Sequence, residues 1–162
     1  MLPKEKVLQM IKKGKQTLGI KDMTFSVKYV GKSPATAKKA EIYIWSRNEA
    51  EIVLYPRARF FSVNHELCHA KLYRMGIPVT NTERDLQLFT NKQDYMRMVV
   101  IIEWYINEMQ KEFFQEYYSI DKYGTPRPAP VPDLPTLPED KFSVREVDYL
   151  IETAKRGKST AV

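Results

Sequence analysis

The sequence predicts an α+β fold: an N-terminal helix, a small mixed or antiparallel sheet of about three strands, a motif-bearing helix and a long core helix. Three observations carry this. Apolar residues near the N-terminus recur at helical spacing. Three short segments between residues 23 and 55 are rich in β-branched and aromatic side chains, the first of them clearly alternating. The 27 residues from Lys92 to Tyr118 contain neither proline nor glycine.

Residues 3–17 read as an amphipathic helix. Val7, Met10 and Ile11 give an i, i+3, i+4 stripe, Leu18 continues it, and lysines fill much of the rest. Gly14 and Gly19 are expected to bring it to an end. Residues 23–30 are a strand, and residues 31–39, with Ser33 and Pro34, are a loop. Residues 41–45 and 51–55 are two further strands, joined by a turn at 46–49 and expected to pair as an antiparallel hairpin. A helix then runs from about residue 58 to Met75, closed by Gly76 before Pro78. Residues 79–92 are polar and show no period. The centre of the next helix, Met98 to Ile106, is apolar apart from Glu103, which predicts a buried core helix. From Gly124 the composition changes. Six prolines between Pro126 and Pro138 predict an extended connector, and Ser143-Val144-Arg145-Glu146 is a capping box for a last helix with the stripe Val147, Leu150, Ile151 and Ala154. The expected organisation is a domain of residues 1–123 and an extension of residues 124–162.

With 162 residues, 43% hydrophobic and 28% charged, the chain is expected to form one globular domain with a core of its own. Its longest apolar run is Met98 to Ile102, far short of a membrane span, and no signal-peptide apolar region follows the start. Cys68 is the single cysteine, which excludes an intrachain disulfide and predicts a reducing, cytoplasmic setting. The net charge of +6 is uneven: residues 1–40 hold ten lysines against Glu5 and Asp22. Such a stretch is a solvated helix face or a surface for nucleic acid. It lacks the arginines and interleaved aromatics of a reading surface, so nucleic acid is the secondary expectation.

Within the predicted helix lies Phe60-Phe61-Ser62-Val63-Asn64-His65-Glu66-Leu67-Cys68-His69, and its two histidines are the only ones in the chain. Positions four apart share a helix face, so His65 and His69 can hold one metal ion. Glu66 then stands beside it as a candidate general base, the arrangement that zinc metallopeptidases use. The surrounding apolar run makes three polar side chains costly there unless they have partners.

A catalytic zinc site normally takes three protein ligands. Cys68 is a poor third, since a helix turns it about 100° from His69, and a small core residue is the better role for it. Glu103 is the stronger candidate, because a carboxylate among Val, Ile and Trp requires a cation. Glu83, Asp85 and Asp94 are reserves, and Glu108 is expected to face solvent. Asn107, one turn beyond Glu103, can hold a ligand histidine by hydrogen bond. An oxyanion partner is also needed, with Tyr95, Tyr105 and Tyr117 among the candidates.

His65-Glu66-x-x-His69, followed after about 30 residues by Glu103-x-x-x-Asn107, resembles the gluzincin metallopeptidases, the thermolysin-like zincins, and the small size resembles the minigluzincins among them. The resemblance covers roughly residues 1–118. It implies a zincin-like fold, one Zn2+ per chain held by His65, His69 and Glu103, and Glu66 as general base in the hydrolysis of a peptide or protein substrate. Asn107 stands where the family often has aspartate. The family order of edge strand, strand and motif helix is matched by residues 41–45, 51–55 and 58–75. By that analogy Tyr43, Ile44 and Trp45 lie on an edge strand that binds extended peptide. Minigluzincins also resemble zymogens, which implies that the extension can cover the cleft in a latent form. Leu72 and Met75 occupy the places of the metzincin glycine and third histidine, which excludes that group. The string His-Glu-Leu-Cys-His-Ala is similar to that of SprT-like proteases, whose third ligand is a histidine this chain lacks. The alternative class is a metal-bearing basic module that binds nucleic acid or a regulatory partner without turnover.

Overall fold

The computed structural model describes residues 1–36, 38–77 and 92–114, together with Tyr149 and Glu152. Helices α1 (Lys4–Thr17), α2 (Phe60–Arg74) and α3 (Lys92–Phe113) accompany strands β1 (Thr24–Tyr29), β2 (Ala40–Ser46) and β3 (Glu49–Leu54). The strands form one sheet in the order β1-β3-β2, with β1 parallel and β2 antiparallel to β3. This is the expected α+β arrangement with a mixed sheet, and the hairpin of β2 and β3 is the one expected. The polar stretch 79–91, the proline-rich connector and the capping box at Ser143 lie outside the described residues. Tyr149 and Glu152 are helical, and the Tyr149 hydroxyl donates to Asp94 Oδ2 at 3.3 Å. No helix among the described residues is long and apolar enough to cross a membrane.

Alternation along the strands decides which sheet face is covered. Ile42 on β2 and Ala50, Ile52 and Leu54 on β3 are buried on one face, with Phe25, Val27 and Tyr29 of β1 packed against the same core. Thr24, Ser26 and Lys28, on the opposite face, are exposed. Helix α1 contributes Val7, Met10 and Ile11 to the core, and α2 packs against α1, β2, β3 and α3. The motif helix is therefore central, with nine of its 15 residues buried.

Helix α1 runs through Gly14 to Thr17, so Gly14 does not end it as expected. Its role is close approach. A Cβ at Gly14 would lie 2.5 Å from Leu67 Cδ1 of α2, with the Phe114 ring 3.5 Å away. The helix ends instead at a Schellman motif: Gly19 has φ 70°, its N–H donates to Gln16 O, and Ile20 N–H donates to Lys15 O. Helix α2 closes in the same way, with Gly76 at φ 93°, its N–H on Tyr73 O and Ile77 N–H on Leu72 O. Ile20 and Ile77, the residues just past these two glycines, are both buried.

The last turn of α2 is clamped by one side chain. The Arg74 guanidinium meets Asp22 with bonds of 3.0 and 2.8 Å, Arg47 O at 2.8 Å and Asn48 Oδ1 at 2.9 Å. It joins the loop after α1 to the turn between β2 and β3. The bonds from Arg74 hold the Asp22 carboxyl below its ordinary value.

Gly14→Val should cost about 1–3 kcal/mol, because the added methyls must displace the buried Leu67 side chain. Urea denaturation measures this, and unchanged stability would refute the close-approach role. A depressed carboxylate pKa stabilises above its unfolded value, near ~4, and that stability is lost as pH falls through the folded pKa. Arg74→Gln should therefore lower Tm at neutral pH, and its deficit should shrink on acidification below about pH 4. A deficit that grows in acid would contradict the clamp.

Candidate metal centre

The surroundings of α2 turn His65 and His69 to one side, as their four-residue spacing requires. Their rings stand edge to face with centroids 5.1 Å apart. Helix α3 crosses this side antiparallel to α2: Glu103 meets His65 and His69, while Gln110, two turns later, meets Phe61. His65 Nε2 lies 3.4 Å from Glu103 Oε2, and His69 Nε2 lies 3.6 Å from Glu103 Oε1. Direct charge-assisted hydrogen bonds would be shorter, near ~2.8 Å. Ligand atoms placed tetrahedrally at zinc bond lengths are ~3.3–3.6 Å apart. The three side chains thus stand at the separation of ligands around an ion, and their donor atoms all lie within 4.8 Å of one another. Two imidazoles and a carboxylate that fit this spacing form a group that can hold a metal ion.

The remaining candidates fall away from this group. Cys68 is fully buried in the core, and burial raises its thiol well above the ordinary value. Asp94 sits at the start of α3 and is not part of the cluster. Glu83, Asp85 and Tyr117 lie outside the described residues. Glu108 is half-buried and paired with Lys111 at 2.9 Å, rather than open to solvent as expected. Tyr105, a candidate oxyanion partner, is buried in the core at 5% exposure and is not available to a substrate, whereas Tyr95 is only partly buried.

Glu103 itself differs from expectation in one respect. Its side chain is 48% exposed, because α3 is not buried all round. Gln93, Met96, Val100, Glu103 and Asn107 form an exposed stripe along it. The carboxylate is therefore at the wall of an open cleft, not in a dry core. That cleft, of about 430 Å3, is lined by Phe61, His65, Val100, Glu103, Trp104, Asn107 and Gln110. An ion held by this group would lie beside the open cleft. Burial opposes ionisation of Glu103, but the two histidines outweigh it and hold the carboxyl far below its usual range. Burial alone would lower His65; the Glu103 carboxylate and the charge of Glu66 outweigh that and raise it.

Glu66 is turned about 100° round α2 from His65. It is 6% exposed, and its Oε2 has no hydrogen-bond partner among the described residues. Burial pushes its carboxyl above the ordinary value, against the pull of His69 and His65. Glu41 of β2 adds a like charge to these surroundings. Glu41 accepts from Lys38 Nζ at 2.6 Å, Tyr55 Oη at 2.6 Å and Tyr43 Oη at 3.2 Å, and its hydrogen bond pushes the Tyr55 phenol up to about 12. Strand β2 is an edge of the sheet, as expected for Tyr43, Ile44 and Trp45. Tyr43 and Trp45 stack with centroids 6.0 Å apart, Trp45 is 63% exposed, and the ladder is irregular between Ile44 and Ser46.

Asn107 lines the cleft, one turn beyond Glu103. Sequence reasoning passed over Gln110. Its Nε2 donates to Phe61 O at 2.9 Å, and it lines the cleft together with His65. The signal was present: seven residues after Glu103 is two turns along the same face. Comparison with protein-family models, curated proteins and solved structures finds no match for this chain.

The protein should bind one Co2+, and Glu103→Ala or His69→Ala should weaken binding by more than the ~10–100-fold typical of losing an outer partner. Titration followed by visible absorption measures this. Wild-type affinity in both variants would refute the cluster as the ligand set.

Proposed function

We propose that the protein is a zinc-dependent endopeptidase of gluzincin type. The observation that supports this best is the combination on one helix of two imidazoles at ion-ligand separation from Glu103 and an adjacent buried carboxylate, Glu66, with an unpartnered oxygen. A structural metal site has no need of that second carboxylate. When bound, zinc supplies Lewis acidity, acidifying water and polarising a carbonyl.

The chain's own residues do the rest. His65, His69 and Glu103 would hold the ion, beside the cleft that His65 and Glu103 line. Glu66, held above the usual carboxylate range, takes a proton from attacking water and passes it to the leaving amine. Strand β2, an edge of the sheet among the described residues, pairs with an extended peptide along Tyr43, Ile44 and Trp45 in this proposal. Phe61, Val100 and Trp104 give the cleft apolar walls for substrate side chains.

The extension adds a restraint in this proposal, covering the cleft in a latent form. Its support is the bond from Tyr149 to Asp94, which returns the extension to the helix that carries Glu103.

Glu66→Gln should keep the metal and lose about 10²–10⁴-fold in hydrolysis of a peptide library, since general acid–base catalysis is worth that much. Retained hydrolysis would sink the mechanism. A chain ending at Tyr123 should cleave the same library faster than the full chain, and an equal or lower rate would remove the latency.

A further inference from the structure

Tyr43 and Trp45 alternate with Ile42 and Ile44 along β2, so their rings lie on the sheet face away from the core. Trp45 is 63% exposed, yet its ring has a support: it stacks on Tyr43 with centroids 6.0 Å and planes 16° apart. Tyr43 is anchored in turn, because its hydroxyl donates to Glu41 Oε2 at 3.2 Å. Tyr55 Oη and Lys38 Nζ hold the same carboxylate at 2.6 Å each. The ladder pairs Ile44 with Ala50 and Ser46 with Glu49, which leaves Trp45 as the extra residue of a bulge. Bulges re-aim side chains in this way. The aromatic pair is thus open to solvent and preorganised, so a group stacked on it loses little freedom in the protein on binding.

Charge defines the ligand. Tyr43 stands directly opposite Glu51 on β3, and Glu49 is the next residue on that face. Neither carboxylate has an ion-pair partner among the described residues. Lys28 of β1 stands opposite Val53, on the far side of Glu51 from Trp45. Aromatic faces attract cations, and a planar guanidinium both stacks on a ring and forks onto a carboxylate. The two carboxylates repel the phosphates of a nucleic acid, whose bases would otherwise suit the rings. We propose that Tyr43, Trp45 and Glu51 form a specificity subsite for an arginine side chain of an extended peptide. Every second side chain of a strand added beside β2 lies on this face. That strand and β3 are about 10 Å apart across β2, a gap that arginine and Glu51 close from the two sides over the Tyr43 ring. The inference rests on the peptidase reading for the peptide's place along β2. It adds the substrate class: peptides with arginine at one fixed position from the cut.

Calorimetric titration of the metal-free full chain, in which nothing is cleaved, tests the subsite. The probes are threonine-rich octapeptides that differ only in carrying arginine or its uncharged isostere citrulline at one position. The arginine peptide should bind about 3–30-fold more tightly than the citrulline peptide. Trp45→Ala should abolish that preference and Glu51→Gln should reduce it, both on an exposed sheet face where the core is untouched. Equal affinities, no binding of either peptide, or a preference that survives Trp45→Ala would each overturn the proposal. Tighter binding of a single-stranded oligonucleotide, lost in Trp45→Ala, would assign the rings to bases and overturn it as well. The zinc-loaded chain separates this inference from the reading beneath it. Selective arginine binding without cleavage of any peptide would refute the peptidase and leave the subsite standing. Cleavage with no preference for arginine would leave the peptidase and remove the subsite.

Discussion

The antiparallel packing of α3 on α2 is the interaction on which the site depends. It delivers Glu103 to within 3.4 Å of His65 and 3.6 Å of His69, and Gln110 to the carbonyl of Phe61. The four polar groups belong to two helices separated by a long stretch of chain. Their geometry is only as stable as the contact between those helices. The contact rests on Met98, Ile101, Ile102, Tyr105, Ile106 and Met109, all buried in the core on the side of α3 away from its exposed stripe. Apolar burial thus fixes a polar arrangement that would not hold itself together.

Helix α2 is fixed in turn from several sides. Gly14 lets α1 approach until Leu67 fills the space where a side chain would stand. Arg74 ties its last turn to the loop after α1 and to the turn between β2 and β3. Gly76 ends it cleanly in a left-handed conformation that other residues rarely adopt. A helix held at its middle and its end can carry buried polar groups without rearranging around them. Glu66 is the clearest case, a buried carboxyl with one unpartnered oxygen beside two histidines. Such a group is destabilising for the fold, and groups of this kind concentrate where chemistry is done.

The surfaces on the two sides of α2 differ in character. One is the exposed stripe of α3, with Met96 and Val100 before Glu103 and Asn107 after it. The edge strand β2 also packs against α2, with its aromatic pair and the part-buried Glu41 network. The two histidines lie on α2, which packs against both the helix that carries Glu103 and the edge strand β2. In the proposed function an extended peptide would use both kinds of surface.

Much of this was legible in the sequence because it depends on local pattern. Periodicity located α1 and β1, β-branched and aromatic content located β2 and β3, and apolar runs free of proline and glycine located α2 and α3. The four-residue spacing of His65 and His69 dictates a shared face wherever the helix lies, and the isolated carboxylate of Glu103 in an apolar run identified the third group. Tertiary structure alone decided the rest. Gly14 reads as a helix breaker until the neighbouring Leu67 shows why no side chain fits there. Glu103 reads as buried until the packing of α3 leaves one face open, because periodicity records which residues are apolar and not how many neighbours a helix has. Tyr105 reads as a possible catalytic phenol and proves to be core. Gln110 carries no motif at all; its meaning comes from a carbonyl 49 positions away in the chain. Spacing along one helix is set by covalent geometry, and the sequence states it outright. The meeting of two helices is set by the shape of the whole core, and only the folded chain contains it.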